Sequence, residues 1–300
     1  MKKTMIKPDS LRRNDRVMIV SPASSVFPGY VEGAENVLRS WGLEPVRGRY
    51  CVAATKGYAG TVEERLADFR TALTDDSVAA VLCSRGGYGT VHLLEHLRPE
   101  WFSSRPKWII GFSDISALHA ASLSAGVMSL HAPMCKHLSE TPENEASRFL
   151  RAILFGENPV YRVDAHRLNR QGRARGRLVG GNMAVLCALL RTPYDLFAPG
   201  TVLFIEDIAE PPYKIERMLY NLRLAGALAG LSGLIVGRFT EYEESPTHPL
   251  YEQIGALVAD YDYLVCFDFP VGHVPENYPM IEGADVELDV DASGVSLAFR

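Results

Sequence analysis

The sequence predicts an α/β protein built on a parallel sheet, and two observations support this prediction. Short apolar runs alternate with helical patterns from Arg16 to about Pro133, as in the run 17–20 followed by the helical segment 31–41. These runs are apolar throughout, which is typical of strands that helices cover on both faces. In such a sheet, ligands bind at the loops that follow the carboxyl ends of the strands.

The later elements of this half follow the same rhythm. In the helix predicted at 63–73, Leu66, Phe69 and Leu73 recur at helical spacing and form one apolar face. Further strands are predicted at 45–51, 78–83 and 108–110. The loops expected at the ligand-binding edge are therefore 21–25, 84–89 and the turn at Ser113.

An arginine-rich segment separates this half from the rest. Residues 161–177 show little apolar periodicity, and we interpret them as a linker between a domain at 1–160 and a domain at 178–300. Their charge indicates either a solvated surface or attraction of a carboxylate-rich substrate. Beyond them, mixed strands and helices predict a smaller second domain, with strands at 201–205, 233–237, 263–267 and 285–290.

The composition excludes several classes of function. The 300 residues carry a formal net charge of -5 and no lysine-rich block, which argues against a nucleic-acid partner. No run approaches the roughly 20 apolar residues of a membrane span, and the N-terminus lacks an apolar signal segment, so we expect a cytoplasmic protein without a membrane partner. The five cysteines are isolated and read as buried hydrophobes. Neither a metal nor a cofactor is predicted.

Ser113 is the first candidate catalytic residue. The apolar run ends at Gly111, and Asp114 opens an amphipathic segment, so the Ser113 hydroxyl is expected beside a helix N-terminus. Backbone N–H groups there can stabilise developing negative charge. Ile115 stands where the G-x-S-x-G elbow has its second glycine, and a helix N-cap is the alternative interpretation.

A serine nucleophile needs a base and a carboxylate. His273 follows an apolar run in a loop stiffened by two prolines and a glycine, and a hydrogen-bonding role in that loop is its alternative. Glu206, after the strand at 201–205, is the favoured carboxylate, with Asp207 and Glu210 as alternatives. His131 stays open as a base. The remaining histidines are weaker candidates by position: His92, His96, His119, His137, His166 and His248.

The segment 84–89 is glycine-rich and directly follows a predicted strand. Its glycines let the backbone approach a ligand, and its N–H groups fit an oxyanion better than the spacing fits a dinucleotide. Arg85 is a candidate partner for a substrate carboxylate. A plain surface turn is the alternative.

Together these motifs resemble the LD-carboxypeptidases, serine peptidases also called muramoyltetrapeptide carboxypeptidases. The resemblance covers nearly the whole chain, and the motifs that carry it are Ser21-Pro22, the segment 84–89, Gly111-Phe112-Ser113-Asp114, His131-x-Pro133-Met134, Gly180-Gly181-Asn182, Glu206-Asp207 and Gly272-His273.

The resemblance implies Ser113 as the nucleophile, His273 as the base and Glu206 as the carboxylate that orients it. It also implies oxyanion donors in the backbone N–H groups of Gly87 and Asp114, with Gly86 lining the same place. The fold it implies is a flavodoxin-like N-terminal domain and a smaller β-rich C-terminal domain, usually as a homodimer. The implied reaction releases the terminal D-alanine of murein tetrapeptides in peptidoglycan recycling.

One departure leaves the substrate open. After the histidine the family tends to show Asn-x-x-x-Pro-x-Gly, whereas Ile281 takes the place of the proline between Asn277 and Gly283. A sister branch of the family cleaves a peptide-nucleotide antibiotic and confers immunity to it, which is the alternative function. A noncatalytic two-domain ligand-binding protein is a further alternative.

Overall fold

The structure is a computed structural model that describes residues 4–244, 247 and 249–300, so the candidate His248 lies outside it. It confirms the predicted α/β class with two units, each built on its own sheet. The first unit comprises the residues up to Glu157 together with Pro275–Gly283. The second comprises Asn158–Val274 and Ala284–Arg300.

The sheet of the first unit has a flavodoxin-like core. Its parallel strands run in the order β2-β1-β3-β4-β5, and the antiparallel strand β11 pairs with β5 at one edge. The bounds of these strands are β1 (Arg16–Val20), β2 (Glu44–Arg47), β3 (Val78–Cys83), β4 (Trp108–Gly111), β5 (Ser129–His131) and β11 (Met280–Glu282).

Local signals in the sequence explain two of the helix ends in this unit. Thr61 and Glu64 form a capping box at the start of α2, and Gly126 ends α4 in the left-handed conformation. The helices are α1 (Pro28–Ser40), α2 (Val62–Thr74), α3 (Pro99–Ser103), α4 (Ser116–Ala125), α5 (Cys135–Glu140) and α6 (Glu145–Leu154).

The strand order determines where the ligand-binding edge of this sheet lies. The chain leaves β1 toward β2 on one side and returns to β3 on the other, so the loops after β1 and β3 lie side by side where the order reverses. Crevices at such a reversal are where doubly wound sheets bind ligands. Two buried hydroxyls join these loops, because Ser21 Oγ and Ser84 Oγ are 2.6 Å apart.

The second unit has a mixed sheet. Its strands run in the order β10-β9-β8-β7-β12-β13-β6, parallel from β7 to β10 and antiparallel beyond β7. The strands are β6 (Val160–Val163), β7 (Gly172–Asn182), β8 (Thr201–Ile208), β9 (Gly233–Thr240), β10 (Leu264–Cys266), β12 (Asp285–Val290) and β13 (Val295–Phe299). The helices are α7 (Met183–Leu189), α8 (Pro212–Leu224) and α9 (Leu250–Leu257).

The segment predicted as a linker, 161–177, contains most of β6 and the beginning of β7. Arg173 and Arg175 stand opposite Asp289 and Glu287 of β12, with nitrogen–oxygen distances of 2.7 and 3.1 Å. The arginines therefore form a solvated ladder of cross-strand ion pairs. The linker prediction was wrong because these arginines alternate with glycine and alanine, which do not form the apolar pattern by which a strand is predicted. The structure divides the chain at 157/158, and Pro275–Gly283 returns to the first unit.

Helix α4 differs from the amphipathic segment predicted after Ser113. Its residues from Ser116 to Leu123 are all buried and Ser124 near its end is exposed, so it packs as a central helix rather than as an amphipathic one. The fully buried His119 donates a 2.8 Å hydrogen bond from Nε2 to the carbonyl oxygen of Gly111 and accepts one at Nδ1 from Ser129. Burial lowers the pKa of His119 to about 4. It is therefore a neutral structural residue that fixes the end of β4.

Across the described ranges, none of the helices is long and apolar enough to cross a membrane.

Because His119 is neutral in the folded protein, we expect the free energy of unfolding to depend on pH. The unfolded chain takes up a proton near pH 6.5 but the folded chain only near pH 4, so the free energy of unfolding should fall as the pH drops through that window, by up to about 3 kcal/mol. The variant His119→Gln keeps an N–H donor for Gly111 and does not titrate. Urea unfolding at several pH values should show a smaller decrease in this variant. The exposed His96→Gln serves as control, and identical pH dependence in wild type and His119→Gln would contradict the assignment.

Candidate functional site

Ser113 lies on a sharp turn between β4 and α4. Its φ of 66° is in the left-handed region, which costs a residue other than glycine roughly 1–3 kcal/mol unless its surroundings hold it there. The N-cap residues of the short 3₁₀ turn at Ser113–Ile115 and of α4 are Phe112 and Ile115, and neither makes a capping side-chain hydrogen bond. The helix-cap alternative is therefore wrong for both Ser113 and Asp114. The geometry is instead that of a nucleophile elbow without its second glycine.

Gly86 packs directly against this turn. A Cβ atom on Gly86 would lie 2.9 Å from Ser113 Cβ, 3.0 Å from Ser113 Oγ and 3.1 Å from the backbone nitrogen of Asp114. Only glycine leaves room for this approach. The loop after β3 therefore borders both the hydroxyl and a backbone donor at the start of a helix, where N–H groups lack helical partners.

The next residue, Gly87, meets the loop that follows β1. Gly87 has a φ of 103°, and a side chain there would overlap Ser24 Oγ. Ser24 donates its backbone N–H to the carbonyl oxygen of Gly86 at 3.3 Å, and its hydroxyl accepts the N–H of Tyr88 at 3.2 Å. Arg85 is exposed, and its Nη1 donates to the carbonyl oxygen of Ser25 at 3.2 Å. The two loops thus hold each other at the strand-order reversal.

Asp114 is tied to the same loop through its side chain and its backbone. Its carboxylate accepts the N–H of Thr90 at 2.9 Å, and its carbonyl oxygen accepts the Thr90 hydroxyl at 2.7 Å. Burial raises the pKa of Asp114, against the lowering effect of these Thr90 hydrogen bonds and of Arg65. Asp114 therefore acts through its side chain as a brace, which leaves its backbone N–H beside Ser113.

Arg65 is a residue of this site that the sequence did not single out. Its buried guanidinium donates from Nη1 to the carbonyl oxygens of Pro22 at 2.7 Å and Gly89 at 2.8 Å. The Gly89–Thr90 peptide is therefore held at its oxygen by Arg65 and at its nitrogen by Asp114. A signal was present, since Arg65 lies four residues before Phe69 on the apolar face of α2.

The second unit carries Glu206 and His273, which the structure brings together. The completely buried Glu206 accepts a 2.7 Å hydrogen bond at Oε2 from His273 Nδ1. With Nδ1 bound to a carboxylate, Nε2 is the nitrogen able to accept a proton. The His273 side chain is 15% exposed, so its ring reaches the surface of this unit.

Glu206 lies within β8 rather than at its end. Two residues of β9, Gly237 and Arg238, stand opposite Glu206 alone, because the register shifts between Ile205 and Asp207. The extra residue belongs to β9, so the bulge lies in the strand next to Glu206, and bulges are frequent beside functional sites. Gly272 packs against the Glu206 carboxylate. Its φ is 125°, and a Cβ there would lie 3.0 Å from Glu206 Oε2.

The neighbouring carboxylates, which the sequence left as alternatives, have other partners. Asp207 accepts the Asn182 side-chain amide at 2.8 Å and the N–H of Ala184 at 2.9 Å, so it braces the start of α7. Burial and the charge of Glu206 raise the pKa of Asp207 to about 6. Glu210 pairs with Lys214 at 3.4 Å. The contact with His273 belongs to Glu206.

The electrostatics of His273 favour its protonated form. Burial lowers the pKa of His273, but the charge and the hydrogen bond of Glu206 outweigh that effect, and Asp207 and Glu241 add to it. The net result is a pKa above the usual value for histidine. A histidine in this setting accepts a proton readily, because the carboxylate of Glu206 stabilises the imidazolium that forms.

The remaining described histidines are buried, packed against other side chains, or exposed. His131 is fully buried in β5, and His119 is the structural residue described above. Three others contact aromatic rings, namely His92, His137 and His166, and His92 also contacts Arg65. His96 is exposed. Within residues 4–244, 247 and 249–300, no group of three or more His, Cys, Asp or Glu side chains could hold a metal ion.

Comparison with known proteins identifies a class of peptide hydrolases. Residues 17–132 match the sequence model of the LD-carboxypeptidase N-terminal domain, and residues 175–288 match that of the LD-carboxypeptidase C-terminal domain. The two matches together span most of the chain. The chain belongs to the LD-carboxypeptidase family.

Individual relatives agree with this assignment. The chain is 32% identical to the murein tetrapeptide carboxypeptidase of Pseudomonas aeruginosa, over 87% of this chain and 89% of the relative. It is 35% identical to a Bacillus subtilis protein described as a probable murein peptide carboxypeptidase, over 78% of this chain and 75% of that protein.

Solved structures share the fold. The muramoyltetrapeptide carboxypeptidase of Oxalobacter formigenes superposes with a TM-score of 0.87 and 26% identity, over 95% of this chain and 98% of the other. The microcin C7 self immunity protein MccF superposes with a TM-score of 0.89 over 98% and 99% of the two chains. The two sequences are 19% identical, so this similarity shows only that the two proteins share a fold.

The position of Arg65 predicts a loss of stability and of loop order when its charge is removed. The variant Arg65→Met keeps the apolar stem but leaves the carbonyl oxygens of Pro22 and Gly89 without their donor, and should cost about 2–3 kcal/mol in urea unfolding. Amide hydrogen exchange should accelerate at Thr90. Arg70→Met, an exposed change on the same helix, is the control. Equal effects of the two variants would refute a special role for Arg65.

Proposed function

We propose that the protein is a serine carboxypeptidase that releases the terminal D-alanine of murein tetrapeptides by hydrolysing the preceding LD-amide bond. The observation that carries the proposal is the 2.7 Å hydrogen bond from His273 Nδ1 to the buried Glu206. A carboxylate held in this way fixes the tautomer of a catalytic histidine and stabilises its protonated form. The names of the relatives supply the substrate class.

In the proposed reaction, Ser113 Oγ attacks the carbonyl carbon of the scissile amide, and its proton passes to His273 Nε2. The tetrahedral oxyanion accepts hydrogen bonds from the N–H groups of Gly87 and Asp114, beside the glycine pair. Collapse breaks the carbon–nitrogen bond, and His273 returns the proton to the leaving amine of D-alanine. A water molecule, deprotonated by His273, then hydrolyses the acyl-enzyme and frees Ser113.

The strain at Ser113 supports the role of nucleophile. A left-handed serine at the end of a buried strand projects its hydroxyl beyond the sheet edge, and the packing of Gly86 holds it there. Peptidoglycan recycling in the cytoplasm and a homodimeric state stay predictions from the resemblance.

A second candidate is hydrolysis of a peptide-nucleotide antibiotic. The shared fold with the microcin C7 self immunity protein and the replacement of a family proline by Ile281 favour it. Ile281 is buried in the edge strand β11 opposite Leu130 of β5, so the replacement is accounted for by strand packing. Proline and isoleucine are both compatible with an edge strand. We therefore favour the murein substrate.

Mass spectrometry of a murein tetrapeptide incubated with the protein should show the loss of one alanine residue. Ser113→Ala should lower kcat/KM by about 10⁴-fold or more, because the attacking oxygen is missing. The exposed Ser104→Ala is the matched control and should retain full activity. Full activity of Ser113→Ala would refute the mechanism. Turnover of an aminoacyl-nucleotide conjugate alone would select the second candidate, and stoichiometric binding without turnover would indicate a binding protein.

The role of Glu206 predicts a shift in the pH profile. His273 acts as a base only when neutral, so kcat/KM falls as the pH drops through its raised pKa. Glu206→Gln removes the charge that raises the pKa of His273, and should move this acid limb to lower pH while reducing kcat roughly 10³- to 10⁴-fold.

Glu210→Gln is the matched control for this experiment, because Glu210 is the nearby carboxylate that pairs with Lys214. Its profile should coincide with that of the wild type. An unshifted acid limb in Glu206→Gln would show that Glu206 does not govern the protonation of His273.

A further inference from the structure

Ser24, in the loop after β1, has its hydroxyl against the loop after β3, which carries the proposed oxyanion donor Gly87. It accepts the N–H of Tyr88 at 3.2 Å and packs on the α-carbon of Gly87, where a side chain would overlap it. A hydroxyl that accepts one hydrogen bond still has its own proton to donate. Ser24 is only half-buried, so a ligand can approach it.

The guanidinium of Arg85 lies on the same side of Gly87. Its Nη2 is 3.6 Å from the point that a Cβ of Gly87 would occupy, and its Nη1 is anchored on the carbonyl oxygen of Ser25. The nearby carbonyl oxygens of Ser25 and Gly86 are already engaged, by Arg85 and by the N–H of Ser24. The side chains nearest to this point of Gly87 therefore supply a hydroxyl donor and a cation, a combination that binds a carboxylate.

The spacing along the loop matches that of a carboxypeptidase substrate. Ser113 Oγ and the Asp114 nitrogen border Gly86, whereas Ser24 and Arg85 border Gly87. Consecutive α-carbons lie 3.8 Å apart. In the substrate, the scissile carbonyl and the terminal carboxylate are likewise separated by a single residue.

We propose that Ser24 Oγ and the Arg85 guanidinium together bind the terminal carboxylate of the substrate, one residue beyond the carbonyl that Ser113 attacks. This inference rests on the proposed function, because it takes the place of the reacting carbonyl from Ser113. It makes the Ser24–Arg85 pair the element that restricts the enzyme to the free C-terminal end of a peptide. A peptide that continues past this point, or ends in a neutral amide, lacks the charge that the pair binds.

The test compares the murein tetrapeptide with the same peptide ending in a carboxamide. The wild type should prefer the carboxylate at least tenfold in kcat/KM. Ser24→Ala and Arg85→Lys should each lower kcat/KM for the carboxylate about tenfold, as expected for loss of a charge-assisted hydrogen bond, and leave the carboxamide nearly unchanged. Ser104→Ala, a change at an exposed serine outside these loops, should leave both values unchanged. An equal loss on both peptides would show that Ser24 and Arg85 merely support the loop, and would overturn the inference.

A binding measurement makes the test independent of turnover. Calorimetry with the Ser113→Ala protein should show weaker binding of the carboxamide than of the carboxylate, and the added Ser24→Ala change should reduce this difference, because only Arg85 then binds the carboxylate. If the wild type hydrolyses the tetrapeptide while binding shows no such difference, the inference is wrong and the proposed function stands. If the protein neither hydrolyses nor binds the tetrapeptide, both are wrong.

Discussion

The close packing of the glycine pair at 86–87 is the constraint on which the site of the first unit depends. Gly86 admits the Ser113 turn, and Gly87 admits the Ser24 hydroxyl, each at a place where a Cβ atom would collide. The left-handed Ser113 is strained in isolation and persists because this loop and β4 enclose it. Backbone donors and hydroxyls at this edge are therefore fixed before any ligand arrives, which is the condition for stabilising a developing charge.

Buried polar groups hold this arrangement in place. Arg65 and Asp114 hold the two ends of one peptide unit, and Arg65 also binds the loop after β1. Burying charges is costly unless each finds hydrogen-bond partners, and here backbone groups supply them. The same reasoning applies to His119, which is kept neutral while it fixes the last carbonyl of β4. Rigidity at the sheet edge thus comes from groups that do not themselves face a substrate.

The second unit positions a different pair of groups, Glu206 and His273, and it too relies on a glycine and on buried carboxylates. Glu206, beside a bulge in β9, accepts a hydrogen bond from His273, and Gly272 leaves room for the carboxylate. Asp207, the next residue, accepts hydrogen bonds from backbone and amide donors, so two adjacent carboxylates have separate roles. The raised pKa of His273 follows from Glu206 and links this unit to the pH dependence expected of the reaction.

The sequence by itself determined the α/β class, the apolar strands and the candidates Ser113, Glu206 and His273, because buried strands and glycine-rich turns leave local signals. It did not reveal the strands within 161–177, whose arginines pair across the sheet, or the return of Pro275–Gly283 to the first unit. Nor did the sequence indicate the roles of Arg65 and Ser24. Their positions depend on contacts between residues distant in the chain, and only the tertiary structure brings α2 and the loop after β1 against the glycines of the loop after β3.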